Sequence, residues 1–172
     1  MNNNILKLSL VTVRVLRVIF FVLAILLCFF FISHLLGIPL GIQYIWTDSG
    51  LSFNKEGEGI EQSFLHLTFS FAKNLIQILI TLLLLSRAIK IIESIKHLKA
   101  FVSENILHFK KMGAFFIMLF LVDLISLLPA NSGTMVHLEA KLLYPICALV
   151  CFLLSEIFTE GNRLYEENEL TV

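Results

Sequence analysis

Charged residues are scarce in this chain, and they cancel. Its 13 Lys and Arg balance its 13 Asp and Glu, so the formal net charge is zero. A neutral chain has no bulk attraction for nucleic acid or acidic substrates, and direct contact with nucleic acid is not expected. Apolar residues instead make up 58% of the sequence, well above the roughly 45–50% of soluble domains. This composition predicts a membrane protein.

The sequence also lacks the motifs that carry most enzyme chemistry. It contains no Gly-rich phosphate loop, nucleophile elbow or paired-carboxylate arrangement, so an enzyme is not expected. The three cysteines all lie inside apolar runs, where a thiol behaves as a small hydrophobic group, which argues against a disulfide framework or a zinc site. The five histidines show no ligand spacing. Neither a cofactor nor a metal is expected.

Four apolar runs cover about residues 14–36, 64–92, 112–129 and 139–158. Each is long enough for a helix to cross the hydrocarbon core, which takes about 17–25 residues. The first run is longer than the roughly 7–15 apolar residues of a secretory signal, and no cleavage site follows it, so a span is predicted instead. Pro145 falls inside the fourth run and requires either a kink or a later helix start. The predicted fold is an all-α integral membrane protein, an antiparallel bundle of four transmembrane helices in a single membrane domain.

The basic residues predict which side of the membrane each loop faces. Between the two pairs of apolar runs, residues 86–113 hold six cations and two acids, and clustered Lys and Arg stay on the cytoplasmic side. The connector at 93–111 is therefore predicted to be cytoplasmic, with Ser103 as the N-cap of a helix that enters the third span. Ten of the 13 cations fall in segments on this side. The bias places both termini in the cytoplasm, together with the acidic tail at 159–172.

The longest loop on the opposite side covers residues 37–63 and is acidic, with four acids and one cation. Two short β-prone runs, at 42–46 and 51–54, flank a turn-like Thr-Asp-Ser-Gly sequence, so a small β-hairpin is expected there. Tyr44 and Trp46 are placed to act as aromatic anchors at the membrane interface. An exposed functional Trp is the alternative.

Two ionisable residues stand out inside the predicted spans, where charges are costly and by default indicate function. Lys73 lies in the second span, and Asp123 lies near the outer end of the third. With a rise of 1.5 Å per residue, antiparallel neighbours place both at about 9–14 Å depth, where the side chains could meet. Three interpretations follow: an ion pair that fixes helix packing, an ion or proton relay, or a Lys73 that snorkels outward without meeting Asp123.

The second span also carries a polar face, with spacing close to i, i+4, i+7 and i+11. Its residues are Ser70, Asn74, Gln77 and Thr81. In lipid such a face should turn inward, where its hydroxyl and amide groups either hydrogen-bond to other helices or line a small wet cavity.

The connector and the tail carry opposite charges and form a candidate surface for a partner or for lipid. Its residues are Arg87, Lys90, Lys96, Lys99, Lys110 and Lys111 around the connector, and Glu166, Glu167 and Glu169 in the tail. The two segments could dock on each other or on a cytoplasmic protein. Alternatively, the connector simply touches anionic lipid.

Several stretches of the chain resemble one group of bacterial membrane proteins. They read Ile-Lys-Ile-Ile-Glu-Ser-Ile-Lys at 89–96, Phe-Val-Ser-Glu-Asn at 101–105, His-Phe-Lys-Lys-Met-Gly at 108–113, and Glu-Asn-Glu-Leu-Thr-Val at 167–172. Together they are similar to the family called "domain of unknown function 2975", in which a Phe-x-x-x-Asn stretch leads to a basic residue and Gly. Here these positions are Phe101, Asn105, Lys111 and Gly113. Ala100 departs from the Pro that is frequent in the family, which implies a softer helix break.

The resemblance implies four spans in a bacterial cytoplasmic membrane, and it supplies no catalytic residues. Because genes of the family often neighbour a small helix-turn-helix regulator, it also implies a regulatory pairing with such a cytoplasmic protein. The functional hypothesis is therefore a non-enzymatic regulatory or signalling membrane protein that presents the connector and tail to a partner, with a homo-oligomer also allowed. The alternative is a small transporter or ion-conducting protein that uses Lys73, Asp123 and the polar face of the second span.

Overall fold

The chain forms four long helices. In the computed structural model, the described residues are 3–38, 42–47, 50–55, 64–96, 102–130, 133–138 and 140–169. The helices are α1 (Asn3–Leu35), α2 (Phe64–Lys96), α3 (Ser103–Leu124) and α4 (Leu143–Glu169). Each is long and apolar enough to cross a membrane. The prediction of four helices with the length and composition of spans is confirmed.

The first two helices pack antiparallel. Arg14, near the start of α1, forms an ion pair with Glu93, near the end of α2, with 2.6 Å between Nη2 and Oε1. At the opposite end of the same helices, the rings of Phe31 and Phe71 stack with centroids 3.8 Å apart. The start of α1 therefore lies beside the end of α2.

The same alternation continues through α3 and α4. Asn105, at the start of α3, donates a hydrogen bond to Ser94 near the end of α2, and Phe109 of α3 packs against Phe158 of α4. The starts of α1 and α3 and the ends of α2 and α4 thus lie together. We call this the basic end because of the cations placed there, which are Lys7, Arg14, Arg17, Arg87, Lys90, Lys96, Lys110, Lys111 and Arg163. The other end is the hairpin end.

The helices form an open row instead of a closed bundle. α2 contacts α1 and α3, and α3 contacts α4, whereas the described residues of α1 and α4 make no comparable contact with each other. Large apolar side chains are consequently exposed along both outer helices, for example Phe21 at 58% and Leu153 at 56%. A soluble monomer rarely exposes so much contiguous apolar surface. Lipid tails would cover such a surface.

Antiparallel strand pairs follow α1 and α3. β1 (Ile42–Thr47) pairs with β2 (Gly50–Lys55), and β3 (Ile125–Ala130) pairs with β4 (Gly133–Leu138). β1 and β2 cover the two β-prone runs of the sequence. The side chains of Tyr44 and Trp46 lie outside the described part of the chain, so their role as anchors stays a prediction.

The third helix ends earlier than the predicted span, which reached residue 129. α3 ends at Leu124, Ile125 is extended (φ −108°, ψ 122°), and the chain continues as β3. Pro129 explains the difference, because it lacks an N–H and disfavours helical geometry at the residue before it. In β3 it lies opposite Thr134 of β4. The backbone groups that leave the helix find new partners in this strand pair.

Two predicted helix starts are shifted. α4 begins at Leu143 instead of near 139, so Pro145 lies in the first turn, where its missing N–H breaks no intrahelical bond. Of the two alternatives for Pro145, the later start is correct. Ser103, the predicted N-cap of α3, is instead its first helical residue, and the N-cap is Val102. The β-branched Val102 adopts the extended backbone of a cap (φ −93°, ψ 147°), and no side chain caps it.

α3 and α4 approach each other closely. A Cβ added to Gly113 would lie 2.7 Å from a ring carbon of Phe152, so any larger residue requires that ring to move. On α4, the small residues Ala148, Cys151 and Ser155 are all buried, and their spacing places them on one face. Small residues at the contact are the usual way in which apolar helices pack closely in a membrane.

Candidate functional site

A buried carboxylate lies near the hairpin end. The side chain of Asp123, in the last turn of α3, is 5% exposed, and a charge so far from water needs a partner. Lys73 of α2 supplies one, with Nζ 3.3 Å from Oδ1 and 3.5 Å from the backbone oxygen of Asp123. The structure thus brings together the two ionisable residues that the sequence singles out.

Two further side chains contact the same carboxylate. Gln77, one turn along α2 from Lys73, donates from Nε2 to Oδ1 over 3.0 Å. Lys141, just before α4, places Nζ 2.9 Å from Oδ2. We call these four residues, Lys73, Gln77, Asp123 and Lys141, the Asp123 cluster. It connects α2, α3 and the chain that leads into α4.

Lys141 is the member of this cluster that the sequence does not single out, because it counts as one of the few cations outside the basic segments, in the outer turn before the fourth helix. A third helix that reached residue 129 would bury Asp123 about 9 Å below that turn at 1.5 Å per residue. Since α3 in fact ends at Leu124, Asp123 lies where the helix gives way to the connection with α4. The available signal was Pro129, because a proline disfavours helix in the residues just before it. An earlier helix end at the Pro129 segment would have placed Lys141 within reach.

The carboxylate of the Asp123 cluster has two counter-ions. One carboxylate faces two ammonium groups, and the Lys73 side chain is 12% exposed while that of Lys141 is 34% exposed. Lys141 therefore covers the carboxylate from the more exposed side. Removing one member of a buried pair is strongly destabilising because the remaining charge stays desolvated. The arrangement joins α2, α3 and the segment before α4 through one carboxylate.

The polar face of α2 is mostly satisfied within its own helix. Asn74 donates from Nδ2 to the backbone oxygen of Ser70 over 2.8 Å, and Thr81 donates from Oγ1 to the backbone oxygen of Gln77 over 2.8 Å. Gln77 is the member of the set whose side chain bonds to another helix. These contacts favour packing over the lining of a wet cavity.

The basic end contains a second buried polar contact. Asn105 is 1% exposed and donates from Nδ2 to Ser94 Oγ over 2.9 Å, which joins α2 to α3. Beside it lies a cavity of about 460 Å³ between the same helices. Its charged lining comes from Arg87, Lys90, Glu93, Glu104, His108 and Lys111.

The predicted partner surface is distributed around this end. Lys90, Lys96, Lys110 and Lys111 are exposed, and Arg87 is half-buried. Lys99 lies outside the described residues. In the tail, Glu166 and Glu167 are exposed, and Glu169 is the last residue of α4, with its side chain outside the described part.

The tail is a continuation of α4 and not a separate segment. Arg163 pairs with Glu160 over 2.6 Å and with Glu167 over 3.5 Å, while Asn162 donates to Glu166 over 2.8 Å. These contacts join residues three or four positions apart and stabilise an exposed helix by small amounts. The acidic end of the chain is therefore presented on a helical scaffold.

Metal binding has no geometric support in the described residues, among which no group of three His, Cys, Asp or Glu side chains could hold an ion.

No model of a protein family, no curated protein and no solved structure matches the chain. Of the positions on which the family resemblance depends, Asn105 and Gly113 are both buried in helix contacts. Function must be inferred from the geometry.

Proposed function

We propose that this chain is a non-enzymatic regulatory or signalling protein of a bacterial cytoplasmic membrane. Its four apolar helices span the bilayer, and both termini lie in the cytoplasm with the basic end. The supporting observation is that clustered cations occupy one end of the helix row, whereas the other end carries the acidic hairpin loop. The opposite orientation would require translocation of the clustered cations.

The partner surface that we propose consists of the exposed cations of the basic end and the acidic end of α4. Lys96 is exposed at the end of α2, and Lys110 and Lys111 are exposed about two turns from the start of α3. α4 runs on for about 11 residues beyond Phe158, which packs against Phe109, and so its end extends past the start of α3 by roughly 7 Å. A cytoplasmic protein that approaches this end meets both charges before it meets the apolar helices.

The class of partner that we favour is a helix-turn-helix regulator, which rests on the family resemblance. Holding such a regulator at the membrane would keep it from its DNA, so a change at the basic end would be read out as a change in transcription. Opposite charges on the connector and on α4 make the docking orientation-specific, because complementary charges fix register more than they add affinity.

The alternative of transport through the Asp123 cluster has weaker support. An ion pathway needs a carboxylate that can exchange its partner, and a polar face open to water. Asp123 instead contacts two Lys and a Gln, and Asn74 and Thr81 bond within α2. These contacts favour a structural role for the cluster.

The proposed function is tested by photo-crosslinking in cells. A photoreactive amino acid at Lys110 should crosslink to a cytoplasmic helix-turn-helix protein, identified by mass spectrometry. The same amino acid at Leu153, exposed on the apolar face of α4, should crosslink to lipid. Lys96→Glu with Lys111→Glu should abolish the protein adduct. Adducts to lipid alone at Lys110, together with ion flux in liposomes that Asp123→Asn abolishes, would favour transport.

A further inference from the structure

A groove of about 1150 Å³ separates α1 from α2 toward the basic end. α1 lines it with Arg14, Arg17, Val18 and Phe21, whose spacing of i, i+3, i+4 and i+7 corresponds to one helix face. The facing residues of α2 fall within 79–93 and also follow a helical period. One face of α1 and one face of α2 thus form the two walls of the groove.

The two halves of the groove differ in chemistry. The half toward the middle of the helices is apolar, and it includes Phe21 of α1 and Leu83 of α2, both of which are exposed. The half at the basic end is charged and holds Arg14, Arg17, Lys90 and Glu93. A ligand that fills the groove must therefore be apolar along most of its length and polar at one end.

The charged half has an excess of positive charge. Arg14 and Glu93 neutralise each other across the groove at 2.6 Å. Because α1 and α2 are antiparallel, Arg17 and Lys90 lie level with each other, each three residues from that pair. Neither has an acidic partner within the described part of the chain. Two like charges that face one groove repel each other unless an anion lies between them.

We propose that this groove binds one anionic membrane phospholipid, with its phosphate between Arg17 and Lys90 and an acyl chain along Phe21 and Leu83. The inference rests on the membrane placement proposed above. Basic pockets between membrane helices on the cytoplasmic side suit anionic head groups. A zwitterionic lipid fits the apolar half equally well, but its head group adds a positive charge beside two cations. The groove therefore selects by head-group charge.

The site connects membrane composition to the partner surface. Lys90 and Glu93 line this groove and also the cavity between α2 and α3. An anion held by Lys90 changes the charge that the second cavity presents beside Arg87 and Lys111. Anionic lipid is thereby a ligand that modulates the basic end.

The proposal is tested by tryptophan quenching in nanodiscs that contain equal amounts of phosphatidylglycerol and phosphatidylcholine, one of which carries brominated acyl chains. In a Trp46→Phe background, Leu83→Trp reports on the groove and Leu153→Trp reports on ordinary lipid contact. The two positions are matched in level along the helices. Lys73 of α2 pairs with Asp123 of α3, so Leu83, ten residues along α2, lies level with Gly113, ten residues along α3. Gly113 in turn lies against Phe152, the residue before Leu153.

We expect a preference for phosphatidylglycerol of roughly tenfold or more at Leu83→Trp, because each basic side chain near the membrane surface strengthens the binding of anionic lipid by roughly fivefold. The preference at Leu153→Trp should be close to one. Adding Arg17→Gln and Lys90→Gln should remove the preference at Leu83→Trp. Arg17→Lys, which keeps the charge, should retain it.

The matched control is Lys96→Gln with Lys110→Gln, which removes two exposed cations of the basic end that do not line the groove. This variant should keep the preference. Equal quenching by both lipids at Leu83→Trp would overturn the lipid site and leave the membrane placement intact. Quenching at Leu153→Trp but not at Leu83→Trp would overturn it in favour of a groove covered by protein. Absence of quenching at both positions would overturn the membrane placement itself.

Discussion

Lys141 Nζ lies 2.9 Å from Oδ2 of Asp123, while Lys73 lies 3.3 Å from Oδ1 of the same carboxylate. The buried acid therefore has two counter-ions, one from α2 and one from the start of the segment that leads into α4. If one Lys is replaced, the other can still pair with the carboxylate. A single pair of Lys73 and Asp123 was one of three interpretations of the sequence, and the structure adds Lys141 as a second counter-ion.

This redundancy predicts strongly non-additive effects on stability. Lys73→Met and Lys141→Met alone should each lower the free energy of unfolding by only about 0.5–1.5 kcal/mol, because one contact is lost and the other counter-ion stays. The double variant leaves the carboxylate without a counter-ion and should lower the free energy of unfolding by about 3–5 kcal/mol relative to the natural chain. This loss exceeds the sum of the losses in the two single variants. Chemical unfolding in detergent micelles measures all three.

A rescue variant separates pairing from packing. Lys73→Met with Asp123→Leu removes the buried charges and should recover much of the stability, because the side chain of Lys141 is 34% exposed and can turn toward water. The cluster interpretation would be contradicted if the Lys73 and Lys141 variants combined additively and the rescue variant remained as unstable as Asp123→Asn.

Whether Gly113→Ala stabilises or destabilises the protein should depend on a second residue, Phe152. Replacing Gly by Ala inside a helix gains about 1 kcal/mol of helix propensity, but here the new Cβ would lie 2.7 Å from the Phe152 ring. Overpacking of this kind costs about 1–3 kcal/mol. Gly113→Ala should therefore be neutral or destabilising in the natural chain and stabilising in a Phe152→Ala background. Thermal unfolding of the four proteins of this double-mutant cycle tests the contact, and additive effects would exclude it.

Asn105 and Ser155 are both buried polar residues, 1% and 0% exposed, and can be compared with each other. Asn105 donates to Ser94, whereas Ser155 Oγ has no hydrogen-bond partner among the described residues. Asn105→Ala should therefore cost about 1–3 kcal/mol, and Ser155→Ala should be neutral or slightly stabilising. Melting temperatures of the two variants give the comparison. Equal losses would contradict the hydrogen-bond assignment.

The sequence predicts the helix framework well because apolar length is a strong and local signal. Four runs of sufficient length correspond to four helices, and Pro145 marks a late start for α4. The end of α3 was wrong for an equally local reason, since residues 125–128 are as apolar as a span. Pro129 disfavours a helix at these residues, and they pair instead with the strand Gly133–Leu138.

The candidate site was predicted in part for the same reason. Lys73 and Asp123 stand out because charges are rare in apolar runs, and helix geometry gives them similar depth. Lys141 does not stand out, since it is one charged residue in a polar connection. The groove between α1 and α2 is likewise not visible in the sequence, because Arg17 and Lys90 are 73 positions apart and line one groove only when the helices pack.

We propose that the basic end lies in the cytoplasm and the hairpin end outside, and cysteine labelling in intact cells tests this orientation most directly. In a chain whose three natural cysteines are replaced by Ala, single cysteines are placed at Ser103, beside the basic end, and at Ser52, in the first hairpin. We predict that a membrane-impermeant maleimide labels Ser52→Cys in intact cells and labels Ser103→Cys only after the cells are permeabilised. Labelling of Ser103→Cys in intact cells, with Ser52→Cys protected, would contradict the account.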